Sequence, residues 1–149
     1  MQLLRSFGAC AVVVFCVLAC SATAAHGQAV AADPARWEAD IAAFEAQDRL
    51  SPPPTGGIVF TGSSSIRLWT TLATDFTGLP VINRGFGGSQ VPDVTAFLDR
   101  IVTKHRPRMV VIYCGGNDIN AGRSAAEVVA DIRSLVGAIH ATLPATRIA

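Results

Sequence analysis

Charge of either sign is scarce: twelve Lys and Arg against eleven Asp and Glu leave a formal net charge of +1 over 149 residues. That balance gives no electrostatic case for nucleic acid or for an anionic membrane surface, and no block of like charge stands out. Neither a Gly-x-Gly-x-x-Gly turn nor a Walker-type lysine is present, so a nucleotide-binding domain would lack its phosphate cradle. No Cys/His cluster has ligand spacing, so neither a metal nor another cofactor is implied. Of the four cysteines, Cys10, Cys16 and Cys20 fall in the first 25 residues, leaving Cys114 alone. One cysteine makes no internal bridge, and at the end of an apolar run it reads as a small buried hydrophobe.

Half the residues are hydrophobic, enough for a packed domain. Part of that total is an N-terminal leader. Residues 1–5 carry one positive charge, residues 7–19 are apolar, and residues 21–25 are small with Ala-x-Ala-like cleavage points. That order is a secretory signal peptide, implying export to the periplasm or the extracellular space. Two rivals stay open. An uncleaved anchor is short of the roughly 20 residues a stable span needs. A lipoprotein tethered through Cys20 would use Val17-Leu18-Ala19-Cys20 as a loose lipobox. The expected organisation is signal peptide 1–25, N-terminal helix and Pro-rich connector 26–57, and main domain 58–149.

Beyond the leader, Asp33-Pro34 is a helix start, with Asp as N-cap and Pro in the first turn. Trp37, Ile41 and Phe44 follow at helical spacing, and Ser51-Pro52-Pro53-Pro54-Thr55-Gly56-Gly57 ends the helix. Strands are then predicted at 58–60, 81–82 and 109–113, with a fourth starting at 147. Helices are predicted at 65–74, at 90–105 and from a capping box at Ser124-Ala125-Ala126-Glu127 to the Pro144 stop. Alternation of apolar strands with helices implies a parallel sheet covered on both faces. Ligands bind such sheets beyond the carboxyl ends of the strands.

Three strand ends carry unusual loops: Thr61-Gly62-Ser63-Ser64-Ser65, Asn83-Arg84-Gly85-Phe86-Gly87-Gly88-Ser89-Gln90, and Gly115-Gly116-Asn117-Asp118. Each has a plain structural explanation: a serine helix cap, a flexible turn with Ser89 as N-cap, an Asx turn. Together they supply more. A serine hydroxyl at a strand-to-helix turn, a glycine N–H and an asparagine amide on successive strand ends make a nucleophile with oxyanion donors. Arg67 and Arg84 flank the loops, read as solvated surface charges or as contacts for an anionic or sugar-bearing substrate.

In this order and spacing, the three blocks resemble those of the SGNH hydrolases, the GDSL esterases and lipases. Gly62-Ser63-Ser64-Ser65 corresponds to Gly-Asp-Ser-x, Gly88 to the second block and Gly115-Gly116-Asn117-Asp118 to Gly-x-Asn-Asp. The Gly-Ser-Ser-Ser-Ile-Arg loop is similar to a bacterial branch. The resemblance implies a flavodoxin-like three-layer α/β/α sandwich with a parallel sheet. It implies Ser64 as nucleophile, and an oxyanion hole from the Ser64 N–H, the Gly88 N–H and the Asn117 side chain. The implied chemistry is ester hydrolysis through an acyl-serine, as in an esterase, acetylesterase or lysophospholipase-like enzyme acting on a small-molecule ester. The charge balance and the short apolar run add the expectations of no nucleic acid and no stable membrane span.

There are two departures. Ser63 replaces the usual Asp and is expected to take over its hydrogen bonds. The Asp-x-x-His block is missing: the histidines are His26, His105 and His140, and none lies three residues after an Asp. The expectation is a C-terminally truncated hydrolase, inactive as it stands. The alternative is a non-catalytic flavodoxin-like module that binds an anion or a carbohydrate at the same loops.

Overall fold

The computed structural model of the chain describes residues 33–149. The leader, its cleavage point, Cys20 and His26 lie outside the described residues.

Asp33 caps the chain's first turn, its carboxylate accepting from the Ala35 N–H at 3.1 Å. Pro34–Trp37 is a 3₁₀ turn that runs into helix α1, Glu38–Leu50. Strands β1 (Ile58–Gly62), β2 (Val81–Gly85), β3 (Met109–Tyr113) and β4 (Arg147–Ile148) form one sheet in the order β2-β1-β3-β4. Every pairing is parallel, with Ile58 opposite both Val81 and Met109.

Successive strand side chains point to opposite faces, and the core divides accordingly. Val59, Ile82, Val110, Ile112 and Ile148 face a cluster with Ile41, Phe86, Val94, Ile101 and Leu135. Ile58, Phe60, Val81, Met109 and Val111 face a smaller cluster with Ile66, Leu72, Trp69 and Phe76. The sheet is thus the middle layer of an α/β/α sandwich. Helices α1, α4 (Val91–Ala96), α5 (Leu98–Ile101) and α7 (Ala125–Thr142) supply the first cluster, and α2 (Ser64–Arg67) and α3 (Leu72–Asp75) the second. No described helix is long and apolar enough to cross a membrane.

Two predicted helices are broken. The 65–74 segment divides into α2 and α3 around Thr70-Thr71, two β-branched residues that are poor in a helix interior. Asp75 braces the break, its carboxylate accepting from the Trp69 indole at 2.6 Å and the Thr71 hydroxyl at 2.8 Å. The 90–105 segment divides at Phe97 into α4 and α5, followed by a 3₁₀ turn at Thr103–His105. Phe97 is buried edge-on against Phe86, so tertiary packing overrides helix continuity there. The capping box at Ser124 opens α7 as predicted.

Arg84 is neither a surface charge nor a substrate contact. Its residue is 3% exposed, with the guanidinium paired to Asp48 on α1, donating to the Asn83 carbonyl at 2.8 Å and lying over Phe44. Burial pulls the guanidinium pKa down, and the Asp48 carboxylate beside it pulls it back up. Lys104 reaches the same carboxylate at 2.7 Å. This pair fastens α1 to the sheet, and removing one member leaves the other charge buried. Asp48→Ala is expected to destabilise the fold by about 3 kcal/mol in urea unfolding; a loss below about 1 kcal/mol would show that the pair contributes no more than a surface one.

Candidate active site

The carboxyl ends of β1, β2 and β3 carry the three loops, and glycine conformation sets the first. Gly62 closes β1 at φ +126°, and a Cβ there would run into the Tyr113 carbonyl. Only glycine tolerates both constraints. The Ser63 N–H then donates to Tyr113 O at 3.0 Å, and the chain turns into α2 with Ser64 as its first residue. Ser64 is half-buried, and its N–H has no hydrogen-bond partner among the described residues. Ser63 does not take over hydrogen bonds from an aspartate: its side chain caps nothing and has no partner among the described residues. A hydroxyl is too short to repeat the reach of a carboxylate.

The Gly62 carbonyl holds the second loop. It accepts from the Phe86 N–H at 3.0 Å and from the Ser89 hydroxyl at 3.1 Å. Ser89 therefore does not cap α4. Gln90 is the N-cap, in a reciprocal capping box with Asp93, and Ser89 is fully buried as a tie between loops. Asn83 adds a brace: its amide donates to Ile66 O at 2.6 Å, and its carbonyl oxygen accepts from the Gly85 N–H at 2.9 Å. Gly88 sits exposed at φ +77°, its N–H unpaired among the described residues.

The third loop is a helical turn, α6 (Gly116–Asn120), rather than an irregular segment. The Asn117 amide donates to Ser89 O at 2.9 Å, which uses one of its two N–H groups and leaves the other. Asp118 is fully buried, and both its oxygens accept from the Val91 N–H at 3.2 Å. Arg123 neutralises it at 3.3 Å and pairs also with Asp131. Asp118 thus ties the third loop to the start of α4, a role that an Asx-turn reading of Asn117-Asp118 does not contain. Cys114 is half-buried and donates to Ser89 O; burial first, then the Asp118 charge, push its thiol up to about 12, so it is no nucleophile.

Ser64, Gly88 and Asn117 are therefore carried by loops tied to one another through two carbonyls, those of Gly62 and Ser89. The histidines are elsewhere. His105 precedes β3, beside Asp48 at the opposite edge of the sheet. His140 lies on α7 with Nε2 3.0 Å from the Thr146 carbonyl, just before β4. Both mark amino ends of strands. Arg67 is exposed with its guanidinium against Gly87, and it makes no ion pair among the described residues. Those residues contain no group of three or more metal-ligating side chains.

Residues 54–149 match the family model described as GDSL-like Lipase/Acylhydrolase. The chain belongs to the GDSL-like lipase/acylhydrolase family. No curated protein matches it significantly by sequence. Among solved structures it is similar to a protein provisionally described as a platelet activating factor from Streptococcus pneumonia, with TM-score 0.65 and 18% identity over 76% of this chain and 53% of that one. It is also similar to an acylhydrolase from Bacteroides fragilis, with TM-score 0.61 and 24% identity over 74% of this chain and 56% of the other. A GDSL-like lipase from Bacteroides thetaiotaomicron aligns with TM-score 0.62 and 20% identity over the same shares of the two chains, 74% and 56%. At these identities the likeness is one of fold, and this chain spans about half the length of the structures it matches. The matched span, 54–149, includes all three loops described above.

The histidine at the opposite edge has a measurable consequence. Burial, then the nearby Arg84 charge, lower the His105 pKa from 6.5 to about 4. A pKa lowered on folding means the native state binds the proton more weakly, so the His105 contribution is complete above pH 6.5 and is lost as pH falls toward 4. Unfolding free energy is expected to drop over that window by at most about 3 kcal/mol from this residue. His105→Leu should flatten that part of the profile in denaturant titrations; an unchanged slope would count against the assignment.

Proposed function

We propose that the protein hydrolyses carboxylic esters through an acyl-enzyme on Ser64. The N–H groups of Ser64 and Gly88 and the second amide hydrogen of Asn117 receive the oxyanion. The observation that carries this reading is the pair of shared carbonyls, Gly62 and Ser89, which leaves these donors unspent at one sheet edge. Donors fixed before the substrate arrives stabilise developing negative charge without reorganising. Ser64 Oγ would attack the ester carbon, the C–O bond to the alcohol would break, and water would then release the acid.

The attack needs a base to take the Ser64 proton. Neither His105 nor His140 stands at this edge, and the 149 residues hold no Asp-x-x-His pair. Residues 1–149 alone are thus expected to show negligible turnover, and the assay is made on the full-length gene product. The missing base is also what favours a second reading, a binding module that holds an anion or a carbohydrate at Ser64 and Gly88. Turnover separates the two. We also propose that residues 1–25 direct export, with residues 58–149 as the hydrolase domain. With no cap or lid evident around Ser64 among the described residues, a short or exposed acyl group such as acetyl is the proposed substrate.

On p-nitrophenyl acetate, Ser64→Ala is expected to abolish hydrolysis. Asn117→Ala is expected to lower kcat by about a hundredfold or more with KM nearly unchanged, the usual signature of a lost oxyanion donor. Equal rates for Ser64→Ala and the parent would end the nucleophile assignment.

A further inference from the structure

The oxyanion loop is not held by the sheet alone. The 3₁₀ turn before α1 reaches across to it with two adjacent side chains, Arg36 and Trp37. The six-membered ring of Trp37 faces Gly88, its edge at ordinary van der Waals distance, 3.5 Å, from where a Cβ on that glycine would sit. The same indole packs edge-on against Phe86, two residues earlier, at 5.5 Å between ring centroids. Arg36 lies over the Trp37 ring at 4.8 Å and donates to Asp93 Oδ2 at 3.0 Å. That same oxygen accepts from the Gln90 N–H at 2.9 Å, at the far end of the loop. The contacts form a closed circuit: Phe86 and Gly88 to Trp37, Trp37 to Arg36, Arg36 to Asp93, Asp93 to Gln90.

We propose that Arg36 and Trp37 are positioning residues that fix the Gly88 N–H in its donor orientation, so the segment N-terminal to the hydrolase domain is part of its catalytic apparatus. Gly88 needs such support more than its neighbours. Its left-handed conformation raises no barrier against other φ values, since glycine samples both signs of φ freely. Its N–H is unpaired among the described residues, so no backbone hydrogen bond pins the peptide plane. The aromatic edge facing Gly88, packed on Phe86 two residues earlier, holds the loop by side-chain packing instead. The Trp37 indole N–H is itself buried without a partner, so the ring's own position is set by packing and by the Arg36 guanidinium rather than by a hydrogen bond. Arg36 adds reach: by sharing Asp93 with the α4 capping box, it couples the turn to the loop's exit.

This inference rests on the hydrolase reading above and is tested together with it. In the full-length gene product, Trp37→Ala is expected to lower kcat on p-nitrophenyl acetate about ten- to a hundredfold, because a misplaced donor loses transition-state stabilisation. KM should stay within about twofold, since ground-state binding is untouched. Trp37→Phe, which keeps an aromatic edge on Phe86, should recover most of the loss. The backbone order parameter of Gly88 by NMR should fall toward about 0.6 in Trp37→Ala while that of Val59 in β1 stays rigid. Unchanged kcat, or a Gly88 no more mobile than in the parent, would overturn the proposal. So would equal losses in Trp37→Phe and Trp37→Ala, or loosening of Val59 in step with Gly88, because both describe general destabilisation. If Ser64→Ala proves as active as the parent, the hydrolase reading fails, and the Gly88 order parameter alone then decides whether the clasp exists.

Discussion

The carbonyl of Gly62 is the point on which the site's geometry depends. It ends β1 at a φ that only glycine adopts readily, against a Tyr113 carbonyl that leaves no room for a side chain. In that orientation it receives the Phe86 N–H and the Ser89 hydroxyl. Ser89, placed by that bond, offers its own carbonyl to Asn117. Two oxygens thus hold three chain segments with mutually dependent hydrogen bonds. Such networks lose more than the sum of their parts when one member is removed, because each buried partner left unpaired costs free energy.

Around this centre the fold keeps charge and chemistry apart. The buried Arg84–Asp48 pair and neutral His105 hold α1 and the connector against the sheet away from Ser64. Asp118 and Arg123 neutralise each other behind the third loop, and the Cys114 thiol stays protonated. These buried charges tie elements together, while the edge carrying Ser64 offers backbone N–H groups unpaired among the described residues. Neutral, fixed dipoles suit an oxyanion that exists only briefly. Arg67, exposed beside Gly87, is a charged group that its contacts place near that edge.

Much of this was legible in the chain, for identifiable reasons. The wholly apolar strands and the capping box of α7 follow local rules, and glycine-rich loops after apolar runs mark a sheet's carboxyl edge. What was not legible depends on partners distant in sequence. Phe97 breaks a helix because Phe86 lies beneath it. Arg84 is buried because Asp48, thirty-six residues earlier, meets it. Ser89 resembles a helix cap, yet its hydroxyl finds Gly62 O, and Asp118 resembles a turn residue, yet it caps α4 from outside. Trp37 follows the apolar stripe of α1 in the sequence, but its ring ends on the loop that carries Gly88. No single-chain pattern predicts which of several acceptors a buried hydroxyl will meet.

One oxygen atom, bound to carbon or phosphorus on Ser64, is expected to touch all three donors at once. The most direct test is a crystal structure of the full-length gene product after reaction with a small alkyl phosphonate ester. The account predicts a covalent bond to Ser64 Oγ, with one phosphonyl oxygen about 3 Å from the Ser64 N, the Gly88 N and the Asn117 Nδ2. An adduct on another serine, or a phosphonyl oxygen turned toward solvent away from Gly88 and Asn117, would contradict it.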